Sequence, residues 1–189
     1  MTNLFINMFV VGAVVAGSQN VMAQSLSDAD YKTRKIVISH EYKNALKRCD
    51  YLAGNTKDVC RAEAKARQDK ARAELEAARE PSAKNHYKSD LTAAEADYAV
   101  AKEQCKSKTA NEKDVCLKEA EATEVKLKAD AKVKFEAATS SPGNTAETRE
   151  EAAEYKREAS YEADKEKCDV LAGNAKDRCI TQIKRRYGE

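Results

Sequence analysis

Six cysteines are the residues of this 189-residue chain whose type and spacing could do chemistry. Thiols can form disulfides, bind a soft metal or exchange electrons, and their spacing helps to distinguish these roles. The chain has no C-x-x-C motif, and its cysteines lack the short spacing that is usual in zinc sites. Instead, they form three pairs, each eleven positions apart: Cys49 and Cys60, Cys105 and Cys116, Cys168 and Cys179. This pattern favours structural disulfides.

Other sites of chemistry are not evident in the sequence. The two histidines, His40 and His86, have no cysteine or carboxylate motif at ligand spacing beside them. There is no glycine-rich phosphate loop, no G-x-S-x-G elbow and no nucleophile beside a base. The many Glu and Lys residues are typical of solvated helix surfaces. The sequence therefore predicts a protein that is not an enzyme, with no catalytic residue, no cofactor and no metal.

Two geometries could accommodate cysteines at this spacing. In one continuous helix the two sulfurs would lie roughly 16 Å apart, too far for a bond, because bridged Cα atoms lie within about 7 Å of each other. In a helical hairpin the two cysteines would lie opposite each other across the turn. The midpoint of each pair has residues that suit a turn: Gly54-Asn55, Ala110-Asn111 and Gly173-Asn174. We therefore favour three hairpins, each with a disulfide at its turn.

The turn residues predict how each hairpin reverses. A glycine can end the first helix in the left-handed conformation, and asparagine is a good N-cap for the second helix. An aspartate three residues after each asparagine could complete a capping box. Ala110 replaces glycine in the middle turn and should cost about 1 kcal/mol if that position is left-handed. The predicted caps are Asn55 with Asp58, Asn111 with Asp114, and Asn174 with Asp177.

The same register extends upstream of the cysteines. A tyrosine precedes the first cysteine of each pair by seven residues, at Tyr42, Tyr98 and Tyr161, and internal duplication explains this agreement. We expect these tyrosines to pack beneath the disulfides. Glycine and proline otherwise fall at boundaries, which predicts repeats at 24–80, 86–138 and 145–189. The predicted helices are 28–53, 55–79, 90–109, 111–138, 145–172 and 174–187.

The composition predicts an all-α protein with coiled-coil-like packing, because Ala, Lys and Glu dominate and 35% of the residues are charged. One segment, 125–135 (VKLKADAKVKF), alternates apolar and charged residues as a half-buried strand would. We favour helix there, because its residues are good helix formers and no partner strand is evident. Apolar positions that are mostly alanine bury little area, so we expect a protein partner or a homo-oligomer to supply the missing burial.

The N-terminus indicates export. Residues 4–17 form an apolar run that is too short to span a bilayer, and Val21-Met22-Ala23 fits a signal-peptidase site. We predict a signal peptide over 1–23 and a periplasmic protein without an integral span, in a compartment where cysteines pair. The alternative is an uncleaved anchor, since no Lys or Arg precedes the run.

The motif C-D-x-L-A-G-N-A-K-D-x-C, best preserved at 168–179 and 49–60, resembles a family of small exported proteins of Gram-negative bacteria. They are rich in Ala, Lys and Glu, and their labels include "cell envelope biogenesis protein" and "TolA-like". The similarity covers most of the chain after residue 23, although the middle turn, 106–112, departs from the motif. The resemblance implies residence in the cell envelope and supplies no catalytic residues.

These features favour a non-enzymatic structural or adaptor protein of the cell envelope. The alternative is a stress-related periplasmic chaperone, and a third class, a redox-active or metal-buffering protein, would require free thiols. Nucleic acid is not an expected partner, because 34 Lys and Arg are balanced by 32 Asp and Glu, for a net charge of +2.

Peptide mapping of the oxidised protein tests the hairpin hypothesis. We expect disulfide-linked peptides within each pair only, because a hairpin turn brings those two cysteines together. Bridges between different pairs would contradict three separate hairpins.

Overall fold

The computed structural model describes residues 26–188, and this part of the chain is all α. The signal peptide predicted over 1–23 lies outside the described residues. Within 26–188, every helix is too short or too polar to serve as a membrane span. The helices are α1 (Asp28–Cys49), α2 (Gly54–Arg79), α3 (Ala83–Cys105), α4 (Ala110–Thr139), α5 (Pro142–Glu166) and α6 (Gly173–Tyr187).

The helices form a single row. Each described helix packs only against the helix before it and the helix after it in the chain. The chain reverses direction at every connection, so α1–α2, α3–α4 and α5–α6 are antiparallel pairs. Each pair packs against the next pair along the row. The row is therefore open at α1 and at α6, and its inner helices have partners on two sides.

This arrangement determines which residues are buried. A helix turns by about 100° per residue, so two residues at i and i+2 lie about 200° apart, on opposite sides of the helix. Buried small residues occur at this spacing in each of α2, α3 and α4: Ala64 and Ala66, Ala94 and Ala96, Ala120 and Ala122, Ala129 and Ala131. One member of each pair can therefore contact the preceding helix while the other contacts the following one.

The alternating segment 125–135 is helical, because it lies inside α4. Ala120, Thr123 and Leu127 line the groove towards α3. On the other side of the helix, Val125 and Ala129 line the groove towards α5. A helix with two apolar seams on opposite sides thus places apolar residues at every second position, which is the period of a strand.

The helix ends differ from the predicted ones. The predicted helices 28–53, 90–109 and 145–172 end four to six residues too late, since α1, α3 and α5 end at Cys49, Cys105 and Glu166. In addition, α3 starts at Ala83, not at 90, because the Ser82 hydroxyl accepts a hydrogen bond from the Asn85 amide and caps the helix. Pro142 at the first turn starts α5, where the prediction was 145.

The residue predicted to be left-handed in each turn is left-handed, but its role in the turn differs from the predicted one. Gly54 (φ 54°), Ala110 (φ 48°) and Gly173 (φ 49°) each begin the second helix of a pair and do not end the first. The prediction of asparagine N-caps is wrong: the N-cap positions are Ala53, Thr109 and Ala172, and no side chain caps these helices. Asn55 and its counterparts lie one residue inside the helix, so the capping boxes do not form.

Substitutions at the left-handed residue should change stability in opposite directions. Ala110→Gly should raise the free energy of unfolding by about 1 kcal/mol, because glycine adopts this conformation without a Cβ clash. Gly54→Ala should lower it by about the same amount through backbone strain alone, since no atom lies within 4 Å of the added Cβ. Urea unfolding of the oxidised protein measures both.

Ala53→Gly is the matched control, because Ala53 is an exposed turn residue with a negative φ of −130°. Glycine there should give no stabilisation, since it only adds freedom to the unfolded chain. Stabilisation by both glycine substitutions would contradict a left-handed Ala110.

Candidate functional site

The three cysteine-containing turns lie at the same end of the row. They connect α1 to α2, α3 to α4 and α5 to α6, whereas the other two connections, at 80–82 and 140–141, lie at the opposite end. An ion pair between Lys167 and Glu119, 2.9 Å apart, joins the C-terminal end of α5, next to the third turn, to α4 three residues after Cys116. We call this end of the molecule, formed by 49–60, 105–116 and 168–179, the disulfide end.

The disulfide end contains three bridges of nearly identical geometry. They join Cys49 to Cys60, Cys105 to Cys116 and Cys168 to Cys179, with Cα–Cα distances of 5.6, 5.6 and 5.8 Å. The first cysteine of each bridge is buried, with at most 1% of its surface exposed. No described cysteine is free. Closing so short a loop stabilises a fold by just under about 3 kcal/mol in the chain-entropy account.

The tips of the two outer turns expose large apolar side chains. Tyr51 is 91% exposed and Val170, at the equivalent position of the third turn, is 69% exposed. Leu52 and Leu171 follow them and are 38% and 39% exposed. The sequence contains these residues in the motif C-D-x-L, but from the sequence alone they cannot be distinguished from core residues.

The middle turn has a different chemistry. Lys106, Ser107 and Lys108 occupy the positions that hold an aspartate and two apolar residues in the outer turns. All three are exposed. The disulfide end therefore has apolar tips at its two outer turns and a basic tip between them.

Each of the two outer turns has an ion pair that joins the residue after its first cysteine to the second helix of the same pair. Asp50 accepts a hydrogen bond from Arg61 at 2.9 Å and lies 3.4 Å from Lys57. These two cations, Arg61 first, hold the pKa of the exposed Asp50 carboxyl below its ordinary value. Asp169 pairs with Lys176 at 2.9 Å in the equivalent place of the third turn. In the middle turn Lys106 pairs with Glu103 instead, at 2.7 Å.

The three upstream tyrosines are half-buried and do not have one common environment. Tyr98 lines a groove with Cys105 and Cys116, as expected for packing beside a disulfide. Tyr42 lines the groove between α1 and α2. Tyr161 contacts the ring of Tyr187 edge to face, with centroids 5.8 Å apart.

A cluster of polar groups holds α6 against α5. Asp164 accepts hydrogen bonds from Lys167 (2.9 Å), Tyr187 (2.8 Å) and Arg186 (3.1 Å). Burial alone would raise the pKa of Asp164, but these donors outweigh it and lower that pKa. Burial and the Asp164 hydrogen bond raise the pKa of Tyr187. The short helix α6 thus depends on this carboxylate as well as on its disulfide.

The histidines are not brought together. His40 lies on α1, where its ring is within 3.2 Å of the Asn44 amide nitrogen, and His86 lies near the start of α3. Among residues 26–188, no group of three or more His, Cys, Asp or Glu side chains is arranged to hold a metal ion.

Replacing Asp164 should make the free energy of unfolding less dependent on pH in the acid range. Because the folded pKa is lower than the ordinary value of 3.8, the contribution of Asp164 is complete above pH 3.8 and is lost as the pH falls through the folded pKa. Asp164→Asn should lower the free energy of unfolding by about 1–2 kcal/mol at pH 7. That difference should shrink below pH 3.8 in urea unfolding measured across pH. Glu154→Gln, an exposed position on the same helix, is the control and should change stability little.

No protein-family model, curated protein or solved structure matches this chain. The resemblance to exported Ala-, Lys- and Glu-rich proteins therefore stays a prediction based on the turn motif. The chemistry of the disulfide end is the basis for a functional proposal.

Proposed function

We propose that this protein is a non-enzymatic structural or adaptor protein of the bacterial cell envelope, which binds a protein partner through its disulfide end. The observation that carries the proposal is the exposure of Tyr51 and Val170 at equivalent positions of two covalently closed turns. Each of these residues is followed by a second exposed apolar side chain, Leu52 or Leu171, and contiguous exposed apolar patches mark sites of protein interaction. A closed turn also loses little conformational entropy on binding.

The proposal includes export to the periplasm and three repeated hairpins. Periplasmic proteins keep their cysteines paired, which fits the pairing of all six cysteines. Duplication of one hairpin is supported by three details that recur: the span of each bridge, the positive φ at its turn and, in the outer copies, the aspartate–lysine ion pair. The middle copy would then have diverged at its tip.

The layout of the tips constrains the partner. Packed helices lie about 8–10 Å apart, so the two outer turns, separated by four helix spacings, are at most about 40 Å apart. The basic Lys106 and Lys108 lie between them. A fitting partner is a protein surface with two apolar patches that flank an acidic one.

A second candidate is a chaperone-like protein of the periplasm. The groove between α4 and α5 favours it, because Val125, Ala129, Ala152 and Tyr155 give it an apolar lining. Tyr155 is 58% exposed at this groove. A shallow apolar groove could hold many unfolded segments weakly, whereas the disulfide end suits one defined partner.

Photo-crosslinking in intact cells tests the adaptor function. A photoreactive amino acid at position 51 or at position 170 should capture the same protein, because both tips contact one partner. Lys106→Glu with Lys108→Glu should lower its capture at both positions, since the partner's acidic patch would be repelled. The captured species are identified by mass spectrometry.

The matched control is the same photoreactive residue at position 155, an exposed tyrosine away from the disulfide end. Capture of that single partner from 155 as strongly as from 51 and 170 would contradict the adaptor function. A broad set of partly unfolded exported proteins, captured mainly from 155, would support the chaperone instead.

A further inference from the structure

Helix α6 covers only half of α5. Cys179 lies opposite Cys168, with Cα atoms 5.8 Å apart, and the chain rises by about 1.5 Å per residue in both helices. Tyr187, at the end of α6, is therefore level with the residue before Tyr161, and the two tyrosine rings are in contact. On the side of α5 that faces away from α4, residues 142–156 have no neighbouring helix in the part of the chain that the structure describes. The row thus ends in a step.

The step has the length of α6. This helix has 15 residues, and the uncovered part of α5 has the same number, so each is about 22 Å long. A second copy fits the step when the two copies are related by a two-fold axis perpendicular to the helices, because the α6 of each then lies beside the uncovered half of the other's α5. With the axis level with residue 157, about 9 Å separates the ends of the two α6 helices. Each α6 then has a helix on two opposite sides, as the inner helices of the row have.

The outer side of α6 is basic. The helix contains five cations and one carboxylate. At about 100° per residue, Arg178 and Arg185 lie on the side opposite Ile183, which is the buried residue of this helix. Both arginines are exposed, and neither forms an ion pair with another described residue, whereas Lys176 and Arg186 pair with carboxylates of their own copy. The outer side of α6 therefore offers two unpaired positive charges.

The uncovered half of α5 is acidic. Residues 142–156 contain four carboxylates and two cations. Glu147 and Glu150 lie opposite the buried Ala152, so they face away from α4. Both glutamates are exposed, and within the described chain neither forms an ion pair. Ala146 lies on the same side and is small enough to let a second helix approach closely.

The two-fold axis brings these opposite charges together. The partner's Arg185 becomes level with a point about 3 Å along the helix from Glu150, and the partner's Arg178 becomes level with a point about 3 Å from Glu147. Each contact joins α6 of one copy to α5 of the other, and the axis repeats it, so four arginines face four glutamates. No charged group in these contacts faces its own counterpart, and opposite potentials meet across the whole step.

We propose that the protein forms a two-fold homodimer in which α6 of each copy fills the step beside α5 of the other. The two α6 helices lie end to end in one layer between the two α5 helices. The rows of the two copies are thereby joined, and their disulfide ends point in opposite directions. The dimer does not rest on the proposed adaptor function.

Sedimentation equilibrium of the oxidised, exported protein tests the dimer. The unchanged protein should sediment as a dimer that dissociates on dilution, and more readily as the salt concentration rises, because salt screens the contacts between charges. Arg178→Glu combined with Arg185→Glu should raise the dissociation constant at least about 20-fold, since four attractive contacts become repulsive. The matched control is Arg34→Glu combined with Lys43→Glu, two reversals at exposed positions of α1, at the other edge of the row. This control should leave the dissociation constant within about twofold.

A charge swap tests whether α6 pairs with the partner's α5. Glu147→Lys combined with Glu150→Lys should weaken the dimer by a similar factor, and all four reversals in one chain should restore the dissociation constant to within about threefold of its original value. A monomer at concentrations up to about 100 µM would overturn the proposal. So would an α1 control that weakens the dimer as much as the α6 variant does, or a fourfold variant as weak as either double variant. Circular dichroism of each variant excludes loss of folding as the cause.

Discussion

The fold depends on one constraint: each inner helix must pack against a neighbour on each of two opposite sides. On the two sides that face neighbours, small side chains let the helices approach closely, and in α2, α3 and α4 most buried residues are alanines that include pairs two positions apart. Alanine meets this requirement and brings helices close, but it contributes little apolar area. The row consequently has no central core, and its largest fully buried side chains are three cysteines.

The disulfides compensate where the seams are weakest. A turn between two alanine-rich helices has few apolar contacts to hold it, and each bridge replaces those contacts with a covalent one. Because the chain reverses regularly, all three bridges lie at one end. The ion pairs of Asp50 and Asp169 lie at the outer bridges, and the apolar tips project beyond them. The same device that closes each turn thus also presents a rigid, exposed surface, which links the stability of the row to the proposed contact with a partner.

The all-α class, the turns and the pairs of cysteines could be predicted from the sequence, because cysteine spacing and glycine placement are local signals. The left-handed Ala110 was also accessible, since it occupies a glycine position in the repeat. The exact helix ends could not be predicted, because Ser82 could be recognised as an N-cap only once its neighbours were known to be helical. The single row was harder still to predict from the sequence. The alternation in 125–135 indicates two apolar seams on a helix only when it is known that α4 packs against a helix on each side. The exposure of Tyr51 likewise follows from the turn's shape and not from its residue type.

Zero-length crosslinking of lysines to carboxylates in the dilute, oxidised protein, read out by mass spectrometry, tests the row most directly. The account predicts crosslinks between successive helices, at Lys70–Asp97, Lys128–Glu95 and Lys167–Glu119, where the charged atoms lie 2.7 to 3.0 Å apart. Intramolecular crosslinks that join α1 to α4, α2 to α5 or α3 to α6 would contradict it, because only a closed bundle brings those helices together.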